Sequence, residues 1–201
     1  MGISEQKQSK IRYIAVTGML AAVATVLMML SFSVPFMPSF IKLDFSEMPA
    51  LIAAFSMGPF SGVLVCLIKN LINLPMTTTG GVGELSNFLL GAAFVLPAGL
   101  LYHRKKNRRS ALIGSLVGAA SMALLSLPSN YFITYPIYAK IMPIDLIVGM
   151  YQAIVPSVDG LFQCLLFFNV PFTFLKGALD AGITFLIYKH ISPFLHGRRR
   201  G

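Results

Sequence analysis

Ile14-Ala-Val-Thr-Gly-Met-Leu-Ala-Ala-Val-Ala-Thr-Val-Leu-Met-Met-Leu-Ser-Phe-Ser-Val-Pro-Phe36 is an unbroken apolar run behind a basic stretch that holds Lys7, Lys10 and Arg12. A helix needs about 20 mostly apolar residues to cross the hydrocarbon of a bilayer, and the apolar core of a cleaved leader is shorter. The run therefore reads as an uncleaved first crossing, from about Tyr13 to Ser33. Pro35 and Pro38 end it, because two prolines so close cannot continue a helix.

The rest of the chain repeats this composition. Of its 201 residues, 56% are hydrophobic and 11% are charged, whereas an ordinary soluble domain is roughly a quarter charged. One soluble core of this size could not hide so much apolar surface. The reading is an all-α integral membrane protein, a bundle of six transmembrane helices with an outer-side ligand pocket, forming one domain over residues 1–201 with basic cytoplasmic tails at 1–12 and 191–201. The net charge of +9 does not indicate nucleic acid. The basic residues gather at the amino terminus, at His103–Arg109 and at Arg198–Arg200, each beside an apolar run, as cytoplasmic loops do under the positive-inside rule. Both termini are then cytoplasmic.

After the first crossing, Ser46 reads as an N-cap and Glu47 with Pro49 as the first turn of a short helix that Gly58-Pro59 stops near Met57. A second short helix spans about Ser61 to Leu74. Thr77–Glu84 is a loop, and crossings follow at about Leu85–Tyr102 and Ser110–Leu127. Residues 136–162 read as an outer segment with a short amphipathic helix, and about Leu165–Tyr188 is the last crossing.

Ionisable groups at membrane depth cost at least a few kcal/mol each, so each needs a partner or a function. Thr173, Lys176 and Asp180 share one face of the last helix, and Glu84 and Asn87 share a face of another. Asp44, Glu47 and Glu84 stand where outer loops enter helices, and Asn70, Asn87 and Asn130 add amides. Converging, these faces make a small-molecule site with apolar walls and a few placed polar groups. Simpler readings stand beside it. Lys176 and Asp180 form an intrahelical pair, Lys69 snorkels or pairs with Glu47, Asn73 caps a helix, and Asp145 and Asp159 are outer-loop charges. Cys66 and Cys164, both in apolar runs, read as packing residues. Gly80-Gly-Val-Gly83 lacks the Lys-Ser/Thr of a phosphate loop, and no histidine has metal-ligand spacing, so no catalytic or metal site and no cofactor is expected. Gly18 and Ala22 form a small-xxx-small pair that lets another helix approach closely.

Leu43-Asp-Phe-Ser-Glu-Met-Pro-Ala50, Gly58-Pro-Phe-Ser-Gly62 and Leu67-Ile-Lys-Asn-Leu71 resemble the substrate-binding S-components of energy-coupling-factor vitamin transporters. Gly80-Gly-Val-Gly-Glu-Leu-Ser-Asn-Phe-Leu89, Asn130-Tyr-Phe-Ile-Thr-Tyr-Pro136 and Pro171-Phe-Thr-Phe-Leu-Lys-Gly177 narrow the resemblance to its riboflavin-specific branch. It implies a membrane subunit that is not an enzyme. Such a subunit takes riboflavin from outside and works with a transmembrane coupling protein and two cytoplasmic ATPase subunits. Ligand contacts carried over by the match are Leu43, Asp44, Phe45, Glu84, Asn87, Asn130, Thr173 and Lys176, with Thr173 standing where relatives commonly have Asn. Gly18 and Ala22 fall on the family's coupling face. The alternatives are an S-component for another vitamin and an ion-coupled secondary transporter.

Overall fold

The structure is a computed structural model that describes residues 3–77 and 79–196, with side chains described over 10–77 and 79–187. Arg198–Arg200 and the side chain of Lys7 lie outside them. Helix α1 runs Ile3–Met29, taking in much of the stretch read as a tail. It gives way to a two-stranded hairpin, β1 Phe32–Ser33 and β2 Lys42–Leu43, in which Phe32 pairs with Leu43. Residues 34–41 form the hairpin's loop. The first crossing thus stops short of Ser33: the two prolines release the chain into the hairpin, whose short strands left no alternating pattern in the sequence.

Helix α2 (Glu47–Met57) and α3 (Pro59–Asn73) follow, separated by Gly58 at φ 121°, with Pro59 opening α3. Helix α4 (Val82–Arg104) begins behind Gly80 and Gly81, both at positive φ. Helix α5 (Arg108–Ser129) is capped by the Asn107 side chain, which accepts from the Ser110 N–H at 2.7 Å. It continues through a π-helical turn, Asn130–Thr134, into Tyr135–Tyr138. Helix α6 (Ile144–Gln152) is the short helix expected in the outer segment. Helix α7 starts at Gly160–Cys164, passes a second π turn at Leu165–Asn169 and runs on as Val170–His196. It is longer than the expected last crossing at both ends.

Among the described residues, five helical spans are long and apolar enough to cross a membrane: Lys10–Met29, Pro59–Met76, Val82–Arg104, Arg108–Tyr138 and Gly160–Ile187. The sixth, α2, is shorter and apolar. It is the central element, packed against α1, α3, α4 and α7 and buried from Pro49 to Phe55. A fully enclosed helix is hydrophobic all round, which is why α2 shows no polar face.

Side-chain size is distributed the reverse of a soluble core. Phe60, Leu124, Phe132 and Leu186 are exposed, whereas Ala24, Ala50, Ala53, Ala98 and Ala119 are fully buried. Lipid is as apolar as leucine, so helices associate through close backbone approach at small residues and through polar contacts. The α4–α5 seam shows this. A Cβ on Gly114 would stand 2.7 Å from the Ala98 carbonyl oxygen, and one on Gly118 would press into the Phe94 carbonyl.

Gly114→Ala is therefore expected to cost about 1–3 kcal/mol, as overpacking does. Gly149→Ala on α6, where nothing among the described residues lies within 4 Å of the added Cβ, should leave stability unchanged or slightly raised. Thermal unfolding in detergent measures both. Equal melting temperatures for the two variants would contradict the seam.

Candidate functional site

Four charges meet in the interior. Lys69 on α3 pairs with Glu47 at 2.6 Å, and Lys176 on α7 pairs with Asp44 and with Glu47, each at 2.9 Å. Lys69 also donates to the Ser46 hydroxyl, which donates to Asp44. Glu47 and Lys69 are fully buried and the other two nearly so. Burial alone would raise the Asp44 carboxyl; Lys176, then Lys69 and the Ser46 hydroxyl, overcome it and hold it down at about 2. The pairing of Lys69 with Glu47 is thus the sequence reading that the structure adopts. Two expectations give way to this cluster. Ser46 sits at the N-cap of α2 without capping it, because its hydroxyl is bound into the charges. Lys176 turns away from Asp180 to the two carboxylates ahead of it, so the intrahelical pair does not form. The carboxylate of Asp180, fully buried, has no hydrogen-bond partner among the described residues.

Two adjoining cavities open above the cluster, at the end of the bundle opposite the basic α4–α5 connection. The deep cavity, about 160 Å³, is walled by Asn87 and Ser86 of α4, Asn130, Thr134, Tyr135 and Tyr138 along α5 and its continuation, Asn169, Phe172, Thr173 and Lys176 of α7, and Phe40 of the hairpin loop. The rim cavity, about 520 Å³, is walled by Met28, Ser31, Asp44, Asn73, Glu84 and neighbours. Phe40, Lys42, Thr79, Gly83 and Asn87 line both. Small-molecule sites run from roughly 300 to 1,000 Å³, and the rim cavity falls in that range.

Helix α4 begins at the rim because Glu84 organises the loop before it. Its carboxylate accepts from Asn73 at 3.0 Å, from Thr77 at 2.7 Å and from Thr79 at 3.3 Å. Asn73 therefore latches α3 to α4 and does not cap α3. At the other side Tyr151 of α6 donates to Asn169 Oδ1 at 2.7 Å and meets the Tyr135 hydroxyl at 2.7 Å. Burial, then Tyr135, pushes the Tyr151 phenol well up, so it stays a hydrogen-bond donor. Phe40 enters the same aromatic group, its centroid 6.2 Å from Tyr151 and 6.5 Å from Tyr135.

The structure thus brings together Asp44, Glu84, Asn87, Asn130, Thr173 and Lys176 on cavity walls. Leu43 and Phe45 line neither cavity. Leu43 is held in the hairpin against Phe32, whose ring also stands 6.4 Å from Phe45. Gly18 and Ala22 are exposed on α1 and line neither cavity. Phe40, Tyr135, Tyr151 and Asn169 are wall or support residues that the sequence reading did not single out. Asn169 carried a signal: it is an amide within an apolar run, one turn before Thr173 and two before Lys176 on the same face. Asn130 and Asn169 also fall in the two π turns, which occur mostly at functional sites.

A helical membrane protein whose interior presents a polar, aromatic-walled cavity above a neutralised charge cluster is a solute-binding membrane component. The chain belongs to the family of substrate-specific components of ECF transporters, whose family model matches residues 12–188. It is 34% identical over 177 residues to the riboflavin transporter RibU of Staphylococcus aureus (strain TCH60), covering 88% of each chain. It is 29% identical to the riboflavin transporter FmnP of Bacillus subtilis (strain 168), covering 94% of this chain and 97% of that one. A solved structure, described as the S component of a bacterial ECF transporter, superposes with a TM-score of 0.74 at 32% identity, covering 94% of this chain and 99% of the other.

The cluster makes a stability prediction. Glu47→Ala removes the carboxylate that both lysines share and should cost about 3–5 kcal/mol, the effect of breaking a buried ion pair. Glu47→Ala with Lys69→Met, which removes one acid and one base, should recover part of the loss in detergent melting. A double variant less stable than Glu47→Ala alone would show that the charges do not balance in this way.

Proposed function

We propose that the chain captures riboflavin from the outer side of the membrane and delivers it for ATP-driven import, without itself catalysing a reaction. The observation that carries this reading is the chemistry of the joined cavities. Amides and Lys176 stand where they suit a uracil-like ring edge, Phe40, Tyr135 and Tyr138 supply ring faces, and the Asp44 and Glu84 carboxylates at the rim suit the hydroxyls of a polyol tail. The names borne by the similar transporters favour the same ligand. A cationic vitamin would meet Lys176 and Lys42 as repulsive neighbours. The basic α4–α5 connection supports an orientation with the opposite, cavity-bearing end outside and both termini in the cytoplasm.

The partners proposed are a transmembrane coupling protein and two cytoplasmic ATPase subunits. The face for them is the outward side of α1. Gly18, Met19, Ala22 and Val26 are exposed there, while Thr17, Ala21, Ala24 and Thr25 of the same helix are buried. A Cβ on Gly18 would meet nothing within 4 Å among the described residues, so its small size serves no packing against them.

Two experiments test these assignments. Purified protein should carry or take up riboflavin and turn yellow, and Asn130→Ala should weaken binding by about 5- to 150-fold, the effect of losing a partner to a desolvated ligand group. Asp145→Ala and Asp159→Ala, at exposed positions, should change affinity by less than about threefold, as surface substitutions do. Loss of binding as large in these two as in Asn130→Ala would misplace the pocket.

Separately, Gly18→Leu or Ala22→Arg should abolish cellular uptake while binding by the isolated subunit holds within a few-fold. A parallel loss of binding would assign the α1 face to internal packing.

A further inference from the structure

We propose that the cavity is polarised to accept the oxidised form of a flavin and to reject its two-electron-reduced form, with Asn70 as the positioning residue. This rests on the riboflavin reading above and adds to it the redox state of the ligand.

An asparagine can offer a cavity either its oxygen or its two N–H groups, and the protein decides which by what it binds behind. Asn87, Asn130 and Asn169 all line the deep cavity. Behind Asn87 stands Asn70 of α3, whose Nδ2 donates to the Cys66 carbonyl at 2.8 Å. A backbone carbonyl only accepts, so that bond fixes which way the Asn70 amide faces. The same Nδ2 then donates to Asn87 Oδ1 at 3.3 Å. The Asn70 oxygen is left buried with no hydrogen-bond partner among the described residues. An orphan acceptor of this kind costs stability, and it is what a side chain held in one orientation for another's sake would carry. Asn87, its oxygen occupied, turns N–H toward the cavity.

The other two asparagines are set the same way. The Ser86 hydroxyl donates to Asn130 Oδ1 at 3.2 Å. Tyr151 donates to Asn169 Oδ1 at 2.7 Å, while Asn169 Nδ2 reaches Tyr135 at 3.4 Å, which leaves one N–H uncommitted. Lys176 spends two of its three N–H groups on Asp44 and Glu47, and the third remains. The three asparagines and Lys176 thus turn N–H groups to the cavity, each asparagine oxygen already holding a partner within the protein, beside the Thr173 and Tyr138 hydroxyls, which can donate or accept.

An oxidised flavin ring presents acceptors at N1, O2, N5 and O4, with a single donor at N3. Two-electron reduction with two protons places hydrogens on N1 and N5, turning two of those acceptors into donors. Set against fixed N–H groups, each becomes a donor facing a donor, and both are left unpaired in a desolvated site.

The test is anaerobic titration of the purified full chain, at slightly acidic pH where the reduced ring is neutral, with riboflavin and with dithionite-reduced riboflavin. The reduced form should bind at least about tenfold more weakly. Equivalently, the midpoint potential of bound flavin should lie at least about 30 mV below that of free flavin, a tenfold ratio for a two-electron couple. Asn70→Leu removes the donor behind Asn87 and should narrow that ratio, as should Ser86→Ala should the first variant fail to fold. A merely structural role would weaken both forms equally and leave the ratio and the potential unchanged, which overturns the positioning assignment. Equal binding of both forms by the unaltered chain overturns the proposal while leaving the riboflavin reading intact. Failure of oxidised riboflavin to bind overturns both.

Discussion

Asp44, Glu47, Lys69 and Lys176 come from the end of the hairpin, from α2, from α3 and from α7, and they meet because none of them can be left alone in a dry interior. An isolated charge at that depth would cost several kcal/mol, while two acids set against two bases recover much of it. The demand that the four charges meet fixes the separation of α3 and α7 around α2. It also pins the start of α2, and with it β2 and the hairpin loop that carries Phe40. The cavity roof is therefore positioned by electrostatics from below, and its walls by helices that the same cluster holds in register.

The remaining architecture makes that convergence possible. Alanines and glycines along α2, α4 and α5 bring backbones close enough for the polar residues between them to reach one another. Two π turns shift the helical register at the depth of the cavity. Each inserts an extra residue into its span, and each places an asparagine at the wall, Asn130 from α5 and Asn169 from α7. A regular α-helix would carry the residues after the turn onto a different face.

Crossings and class were legible in the sequence because length and apolarity report directly on the bilayer. Asp44, Asn87, Asn130 and Lys176 stood out for a related reason: a polar group inside an apolar run has few reasons to be there. What the sequence hid follows from the same logic. Phe40 and Tyr135 looked like the other aromatics of a lipid-facing chain, since nothing in a lone ring distinguishes cavity from lipid. Lys176 and Asp180, one turn apart, suggested a local pair, but the partners chosen lie 132 residues away in the chain for Asp44. Sequence spacing ranks neighbours along one helix and is silent about a carboxylate arriving from elsewhere. Leu43 and Phe45 flank a real wall residue, and alternation along the hairpin sends them away from the cavity that Asp44 faces.

Helix α1 shows how one element can present two different apolar sides without a polar face. Its inward side, with Thr17, Ala21, Ala24 and Thr25, packs on α2 and α3, and its outward side, with Gly18, Met19, Ala22 and Val26, is equally free of charge. The periodicity of polar and apolar residues cannot tell such sides apart, because lipid and core make the same demand on polarity. Size does tell them apart. Small residues are expected where backbones approach, and inside the bundle Gly62, Gly99, Gly114 and Gly118 each stand against a neighbouring helix that leaves no room for a Cβ. Gly18 has no such neighbour among the described residues, although a leucine there would cover more apolar surface and favour the helix more strongly. A small residue on that outward surface is what the close approach of a proposed partner helix would require. The proposed assembly then lies on the far side of α1 from the ion cluster, so that a change in the partner contact need not disturb a charge or a cavity wall.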